Sequence, residues 1–241
     1  MDTGYGNPYV VAQSEASVRA GFIRKTYLHL AGAILVFAAL EAILLNSAWS
    51  VNLAVKILST GGMGWLVVLG LFMVVSVIAD RWAQSNTSRG MQYLGLGLFI
   101  VAEAIVFLPL LVLAAFKYSS VQGAPDWTII RDAGVVTALL FAGLTAFALI
   151  TKSDFSFMRG FLMIAGFVAM GVIVASLLFG FQLGTLFSGI MVLFAAGSIL
   201  YTTSNILHHY RPEQHVAASL ALFSAVALMF WYILRIFMSR D

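Results

Sequence analysis

An uncharged polar run at the end of a very hydrophobic stretch is the first candidate for chemistry. After SGIMVLFAAGS the chain continues as ILYTTSNILHH, which contains Tyr201, Thr202 and Asn205. On a helix Thr202 and Asn205 share one face with Ser198, and Tyr201 lies beside that face. Hydroxyl and amide groups there can bond across helices or back to the preceding turn. Spacing alone favours this interhelical bonding, and the lining of a closed polar cavity is the alternative.

Two carboxyl side chains lie deep in hydrophobic stretches, Glu41 in the first and Glu103 in the third. Ionisable groups are costly inside a bilayer and are functional candidates there, so the pair could form a proton or cation site. Alternatively, Glu41 reaches water near the outer interface and Glu103 hydrogen-bonds as a neutral acid. Asp80 and Arg81, at the end of the second stretch, indicate the membrane interface.

The motifs of intramembrane enzymes are missing. LFSG at Leu186–Gly189 lacks the first glycine of a Gly-x-Ser-Gly loop, and His-Glu-x-x-His does not occur. Cysteine is absent, which excludes a thiolate nucleophile or metal ligand. HHYRPEQH holds three histidines and a glutamate, a pattern we interpret as a solvated loop. We therefore predict no enzyme activity, no cofactor and no metal.

The elements that carry these side chains are hydrophobic helices. Of 241 residues, 61% are hydrophobic and 10% charged, with a mean hydropathy of +0.98, whereas soluble domains are about a quarter charged. A spanning helix needs ~20 apolar residues, and its backbone must satisfy its own hydrogen bonds. The sequence therefore predicts an all-α polytopic integral membrane protein with seven transmembrane helices, and a net charge of +3 does not indicate nucleic acid. The predicted spans are Tyr27–Asn46, Met63–Ala79, Met91–Phe116, Gly134–Thr151, Met158–Gly180, Thr185–Leu207 and Val216–Phe237.

Charge placement predicts the orientation. The side of the membrane that holds the N-terminus has eight lysines and arginines and the other side has five, which favours a cytoplasmic N-terminus. The beginning of the chain is polar, so we predict a flexible cytoplasmic tail over residues 1–20 and a seven-helix transmembrane domain over 21–241. A re-entrant last segment remains the alternative to a seventh full span.

Four stretches resemble the Bax inhibitor-1 (transmembrane BAX inhibitor motif) family. FIRKTYLHLAGAILVF at Phe22–Phe37 resembles its opening helix, and TKSDFSFMRGFLMIAG at Thr151–Gly166 resembles a loop and the helix after it. ILYTTSNILHH falls where the family has Tyr-Asp and a polar run, and YILRIFMSRD fits the end. TSNI and the final SRD resemble the bacterial YccA-like branch. The resemblance implies six helices around a more central last one, in the bacterial inner (cytoplasmic) membrane.

The resemblance also implies a departure from the family's chemistry. Family members are described as pH-sensitive calcium leak pathways in which two aspartates share a proton. The first aspartate falls on Thr202 and the second on Phe223 or Ser224, while a family arginine matches Arg81 and a family glutamate falls near Gly70. Two close carboxylates form a pH switch, which these residues cannot. The implied polar cavity therefore lacks the titrating pair, and its predicted lining residues are Arg81, Tyr201, Thr202, Asn205 and Ser224.

The YccA-like branch is associated with FtsH, a membrane-anchored ATP-dependent protease that pulls on cytoplasmic tails. Met1–Ala20 is polar and suited to that, although a passive terminus is an equal interpretation. The predicted function is a non-enzymatic modulator, and slow substrate, of FtsH. The alternative is a calcium or proton leak channel that lacks the di-aspartyl pH sensor. The predicted partners are the lipid bilayer, FtsH and, for the channel, Ca²⁺ or H⁺.

Overall fold

A computed structural model describes residues 10–85, 88–117 and 125–239, which form eight α-helices and no strand. A 3₁₀ turn at Val11–Gln13 precedes the first helix, and a π-helical turn at Leu113–Lys117 extends the fourth. The helices are α1 Ala16–Leu45, α2 Ala48–Ser59, α3 Gly61–Ala83, α4 Arg89–Val112, α5 Thr128–Thr151, α6 Met158–Phe179, α7 Thr185–His208 and α8 His215–Met238.

Seven of these helices, all except α2, are long and apolar enough to cross a bilayer. The predicted all-α class with seven spanning helices is therefore confirmed. The reason is that a run of ~20 apolar residues with few charges satisfies its backbone only as a helix in lipid.

The short helix α2 lies between the first two predicted spans, in a stretch that begins with the polar sequence NSAWSVN. It spans 12 residues, too few to cross the bilayer core, and it packs against α4. Its side chain Ala54 is fully buried. The Ser50 hydroxyl donates to the carbonyls of Leu44 and Ser47, so this serine joins α2 to the end of α1.

Residues 10–20, which we expected within the flexible tail, are part of the helical domain. Helix α1 begins at Ala16, well before the predicted first span. The Val11 side chain is fully buried, and its backbone N–H donates to the Tyr210 carbonyl at 2.8 Å. The Phe22 ring packs on Tyr210, with ring centroids 6.5 Å apart. Residues Met1–Tyr9 of the predicted tail lie outside the described residues.

Helices α4 and α8 form the centre of the molecule. In their most apolar stretches 78% and 67% of residues are buried, against 33% or less in the other five spanning helices. Helix α8 packs against α1, α3, α4, α5 and α7, whereas α6 contacts α3 and α7. The last helix is thus central, as the family resemblance implied, but it shares that position with α4.

Pro109 lies inside helix α4 and does not end it. Helix α4 continues past it to Val112 and then widens into the π-helical turn Leu113–Lys117. Proline removes one donor of the helical hydrogen-bond ladder, and a π turn is one way for the chain to adjust its pairing nearby.

Helices α3 and α4 approach most closely at Gly95. A Cβ atom there would lie 2.5 Å from the Ala79 carbonyl oxygen and 2.6 Å from the Ala83 nitrogen, both backbone atoms. We expect Gly95→Ala to lower the free energy of unfolding by about 1–3 kcal/mol, because the helices must move apart. Thermal unfolding in detergent measures this change.

The matched control is Gly97→Ala, two residues further along α4, where a Cβ atom meets nothing within 4 Å. Equal melting temperatures for the two variants would contradict the close α3–α4 packing.

Candidate functional site

The polar run on α7 faces the protein interior. Thr203 and Ser204 are fully buried and Thr202 is 8% exposed, while Tyr201 and Asn205 are half-buried. Helix α7 packs these residues among α8, α5 and α1. These hydroxyl groups therefore lie at contacts inside the protein and not at the lipid surface, where they would lack hydrogen-bond partners.

Ser204 joins α7 to the loop between α5 and α6. The Phe155 backbone N–H donates to the Ser204 hydroxyl oxygen at 2.8 Å, and that hydroxyl lies 3.4 Å from the Ser153 carbonyl and from Asp154 Oδ1. The Ser156 backbone N–H also donates to Asp154, at 2.8 Å, and this bond holds the pKa of Asp154 below its usual range. Ser204, which is not on the face that the sequence predicted, therefore bonds to a loop and not to another helix.

Thr203 belongs to a second arrangement, the hydroxyl cluster, which consists of Tyr27 on α1, Thr145 on α5 and Thr203 on α7. The Tyr27 hydroxyl faces the hydroxyls of both threonines. All three oxygens are buried. A buried hydroxyl left unpaired costs about 1–3 kcal/mol, so placing the three groups together, where they can pair with one another, makes the cluster a polar contact between helices. It contains no charge.

Sequence reasoning missed this cluster because it followed a different face of α7. Ser198, on the predicted face, donates back to the Phe194 carbonyl within its own helix. Thr203 lies on the next face round, and its partners Tyr27 and Thr145 are single polar residues inside other apolar spans. The sequence did contain one signal for the cluster: a single hydroxyl residue inside an apolar span needs a hydrogen-bond partner on a neighbouring helix.

The loop that follows α7 lies near the end of α3. The Asn205 carbonyl accepts from the backbone N–H groups of His209 and Tyr210, which terminates the helix. Burial raises the pKa of Tyr210 to about 12, and the nearby Asp80 and Tyr201 add to the shift. Tyr201 and Asp80 thus both lie near Tyr210 at this membrane face, whereas Arg81, which follows Asp80, is exposed on the last turn of α3.

Helix geometry distinguishes the two residues matched to the second family aspartate. The Tyr232 ring of α8 packs on Phe187 of α7, with ring centroids 6.0 Å apart. Phe223 is about 2.5 turns from Tyr232, so it points to the opposite side of α8. Ser224 lies within about a quarter turn of the Tyr232 direction, and it is half-buried. Phe223 packs on Phe37 of α1 and Phe99 of α4, so Ser224 points closer to the α7 side of α8 than Phe223 does.

The two intramembrane acids lie in the interior. Glu103 is 7% exposed and lies one turn from both Phe99 and Phe107, whose rings pack against α8. Glu41 is 4% exposed and lies one turn after Phe37, and neither of its carboxylate oxygens has a hydrogen-bond partner among the described residues. The interpretation in which Glu41 reaches water therefore disagrees with its burial.

The acids do not lie beside the polar run. Helices α4 and α7 share one membrane face, where α4 begins at Arg89 and α7 ends at His208. Counted along each helix from that face, Glu103 is roughly 12 Å deeper than Thr202. Glu103 thus lies deeper than the neutral hydroxyl region, whereas Glu41 lies four residues before the end of α1, toward the opposite face.

The histidine-rich loop does not form a metal centre within the described residues, where no group of three His, Asp or Glu side chains could hold an ion. His208 Nδ1 donates to the Ser204 carbonyl at 2.9 Å. His215 instead contacts His29 of α1, with ring centroids 4.9 Å apart. These rings serve contacts between helices and loops.

Comparison with known proteins gives several relatives. The chain is 37% identical to an uncharacterized protein of Pseudomonas aeruginosa over 113 residues, which are 46% of this chain and 50% of that protein. It is 36% identical to the modulator of FtsH protease YccA of Escherichia coli (strain K12) over 110 residues, 44% of this chain and 49% of that one. The chain thus spans about half the length of these two bacterial relatives.

A third relative matches over nearly the whole chain. Bax inhibitor 1 of Schizosaccharomyces pombe is 29% identical over 238 residues, 96% of this chain and 81% of that protein. The family model described as inhibitor of apoptosis-promoting Bax1 matches residues 19–241. With this coverage, the predicted family is confirmed, and the chain belongs to the Bax inhibitor-1 family of multi-pass membrane proteins.

Proposed function

We propose that this chain modulates an FtsH-type membrane protease in the bacterial inner membrane, with its N-terminus in the cytoplasm, and that it is itself a slow substrate. The similarity to the E. coli modulator of FtsH protease carries the proposal. A binding or regulatory role without catalysis also fits the site, whose polar groups are neutral hydroxyls and two buried acids.

The way the N-terminal segment is attached supports slow degradation. Val11 is fully buried among apolar side chains that include Phe22, and its N–H is bonded to the Tyr210 carbonyl. A protease that pulls the chain from this end must first release that attachment. The attached segment therefore resists extraction of the chain from the membrane, which a slowly degraded substrate requires.

We expect the purified chain, reconstituted in liposomes with E. coli FtsH and ATP, to slow the degradation of a fluorescent membrane-protein substrate. We also expect Val11→Ser to speed loss of the chain itself severalfold. Burial of a valine side chain stabilises by about 1.5–3 kcal/mol, so its loss frees the segment roughly tenfold more often. Gel quantification over time measures both effects.

Val18→Ser is the matched control, because Val18 on α1 is 41% exposed. If the substrate is degraded at the same rate with and without the chain, modulation is refuted. If Val11→Ser and Val18→Ser have equal lifetimes, the attachment does not limit degradation.

The second candidate is a calcium or proton leak channel without the di-aspartyl pH sensor. The observation in its favour is the burial of Glu41 and Glu103 within spanning helices, where carboxyl groups are costly unless they serve a function. Thr202 and Ser224 cannot titrate, so a pH response of the family's kind must be absent from this chain.

Restoring both carboxyl groups should create that response. We expect Thr202→Asp combined with Ser224→Asp to make calcium flux in liposomes depend on pH, because two close carboxylates share a proton. We expect Thr202→Asn with Ser224→Asn to keep a flat profile. A flat profile in both double variants, or no flux from the unaltered chain, would contradict the channel.

A further inference from the structure

Two cavities lie next to each other near the membrane face where α4 and α8 begin. The first, which we call the basic pocket, has a volume of about 370 Å³ and lies between α1, α4 and the start of α8. Lys25 and Arg89 line it together with Ser88, and Glu213 and His215 complete its far side. Two cations thus oppose one carboxylate, which leaves the pocket positive.

The N-termini of two long helices also end at the basic pocket. Ser88 caps α4, since its hydroxyl accepts from the Met91 N–H at 3.4 Å, and α8 begins at His215. The first turn of a helix has a partial positive charge. Both helix ends therefore add to the field of Lys25 and Arg89, and the pocket favours an anion.

The second cavity, the apolar groove, runs along α1 and α4 toward the bilayer centre and has a volume of about 380 Å³. Gly32 of α1 and Gly97 of α4 form its floor, and a Cβ atom at either glycine would meet nothing within 4 Å. Its walls include Leu28 and Val36, which are 59% and 56% exposed. The groove is therefore open to the hydrocarbon region.

A pair of histidines joins the two cavities. His29 lines the groove and His215 lines the pocket, and their rings are in edge contact, with centroids 4.9 Å apart. His29 Nδ1 lies 2.7 Å from the Lys25 carbonyl, which only accepts, so this nitrogen donates. In the neutral ring Nε2 then accepts from the Tyr93 hydroxyl, 2.8 Å away. These bonds hold the His29 ring in place, and the two cavities lie on either side of the histidine pair.

We propose that the basic pocket and the apolar groove form one binding site for an anionic glycerophospholipid. The phosphate group lies near Lys25 and Arg89, and an acyl chain lies over Gly32 and Gly97. Basic pockets between spanning helices suit such headgroups, and a positive pocket beside an apolar groove matches a lipid at both ends. A soluble phosphate would use only the pocket and leave the groove without a role.

Native mass spectrometry of the full chain in detergent tests the site, with phosphatidylglycerol and phosphatidylcholine of the same acyl chains as probes. We expect phosphatidylglycerol to bind with the higher affinity. We expect Lys25→Gln and Arg89→Gln each to weaken its binding about fivefold, the contribution typical of one cation near an anionic lipid. Gly97→Leu should weaken the binding of phosphatidylglycerol by filling the groove.

Matched controls exist for both kinds of variant. Arg159→Gln removes an exposed cation at the start of α6, and Gly143→Leu fills an open position on α5. Each variant is first shown to melt at the temperature of the unaltered chain. Equal affinity for the two lipids, or equal effects of site and control variants, means annular contact only and overturns the proposal. Competition by glycerol 3-phosphate that Gly97→Leu leaves unchanged would mean a site for a soluble anion and would also overturn it.

Discussion

The packing of aromatic rings between α4 and α8, which we call the seam, is the interaction on which the rest of the structure depends. The Phe107 ring stacks on Phe230 at 5.8 Å and meets the edge of Trp231 at 5.0 Å, and Phe99 packs on Phe223 at 6.1 Å. Lipid tails are as apolar as these side chains, so close packing, and not the hydrophobic effect, holds the two helices together. Helix α1 joins the same seam through its own aromatic ring, and the other helices pack around this centre.

An apolar seam at the centre determines where polar groups can lie. The hydroxyl cluster and Ser204 lie toward one membrane face, where α7 meets α1, α5 and the α5–α6 loop. Glu103 lies within the seam itself, one turn from Phe99 and Phe107, and Glu41 lies one turn from Phe37. The residues matched to the family's proton-sharing pair are uncharged here, so the region near α7 keeps hydrogen-bonding groups without a pH-dependent charge.

The sequence predicted the seven spans because hydropathy and length follow directly from the bilayer's thickness. It did not predict α2, whose Ser50 hydroxyl donates to the end of α1. It also did not predict the attachment of Val11 to the α7–α8 loop. The burial of Thr202 could be expected, but the separate roles of Thr203 and Ser204 depend on which helices neighbour α7. The basic pocket was beyond sequence reasoning for the same reason: Lys25, Arg89 and His215 are far apart along the chain and meet only in the folded bundle.

The central position of α8 can be measured by fluorescence quenching with brominated lipids. In a background where all five native tryptophans are replaced by phenylalanine, one tryptophan is placed at Phe223 of α8 or at Phe167 of α6. Both positions lie eight or nine residues from the start of their helices at the same membrane face, but Phe223 is 2% exposed and Phe167 is 76% exposed. The account predicts strong quenching at position 167 and little at 223. Equal quenching at the two positions, in variants that remain folded, would contradict it.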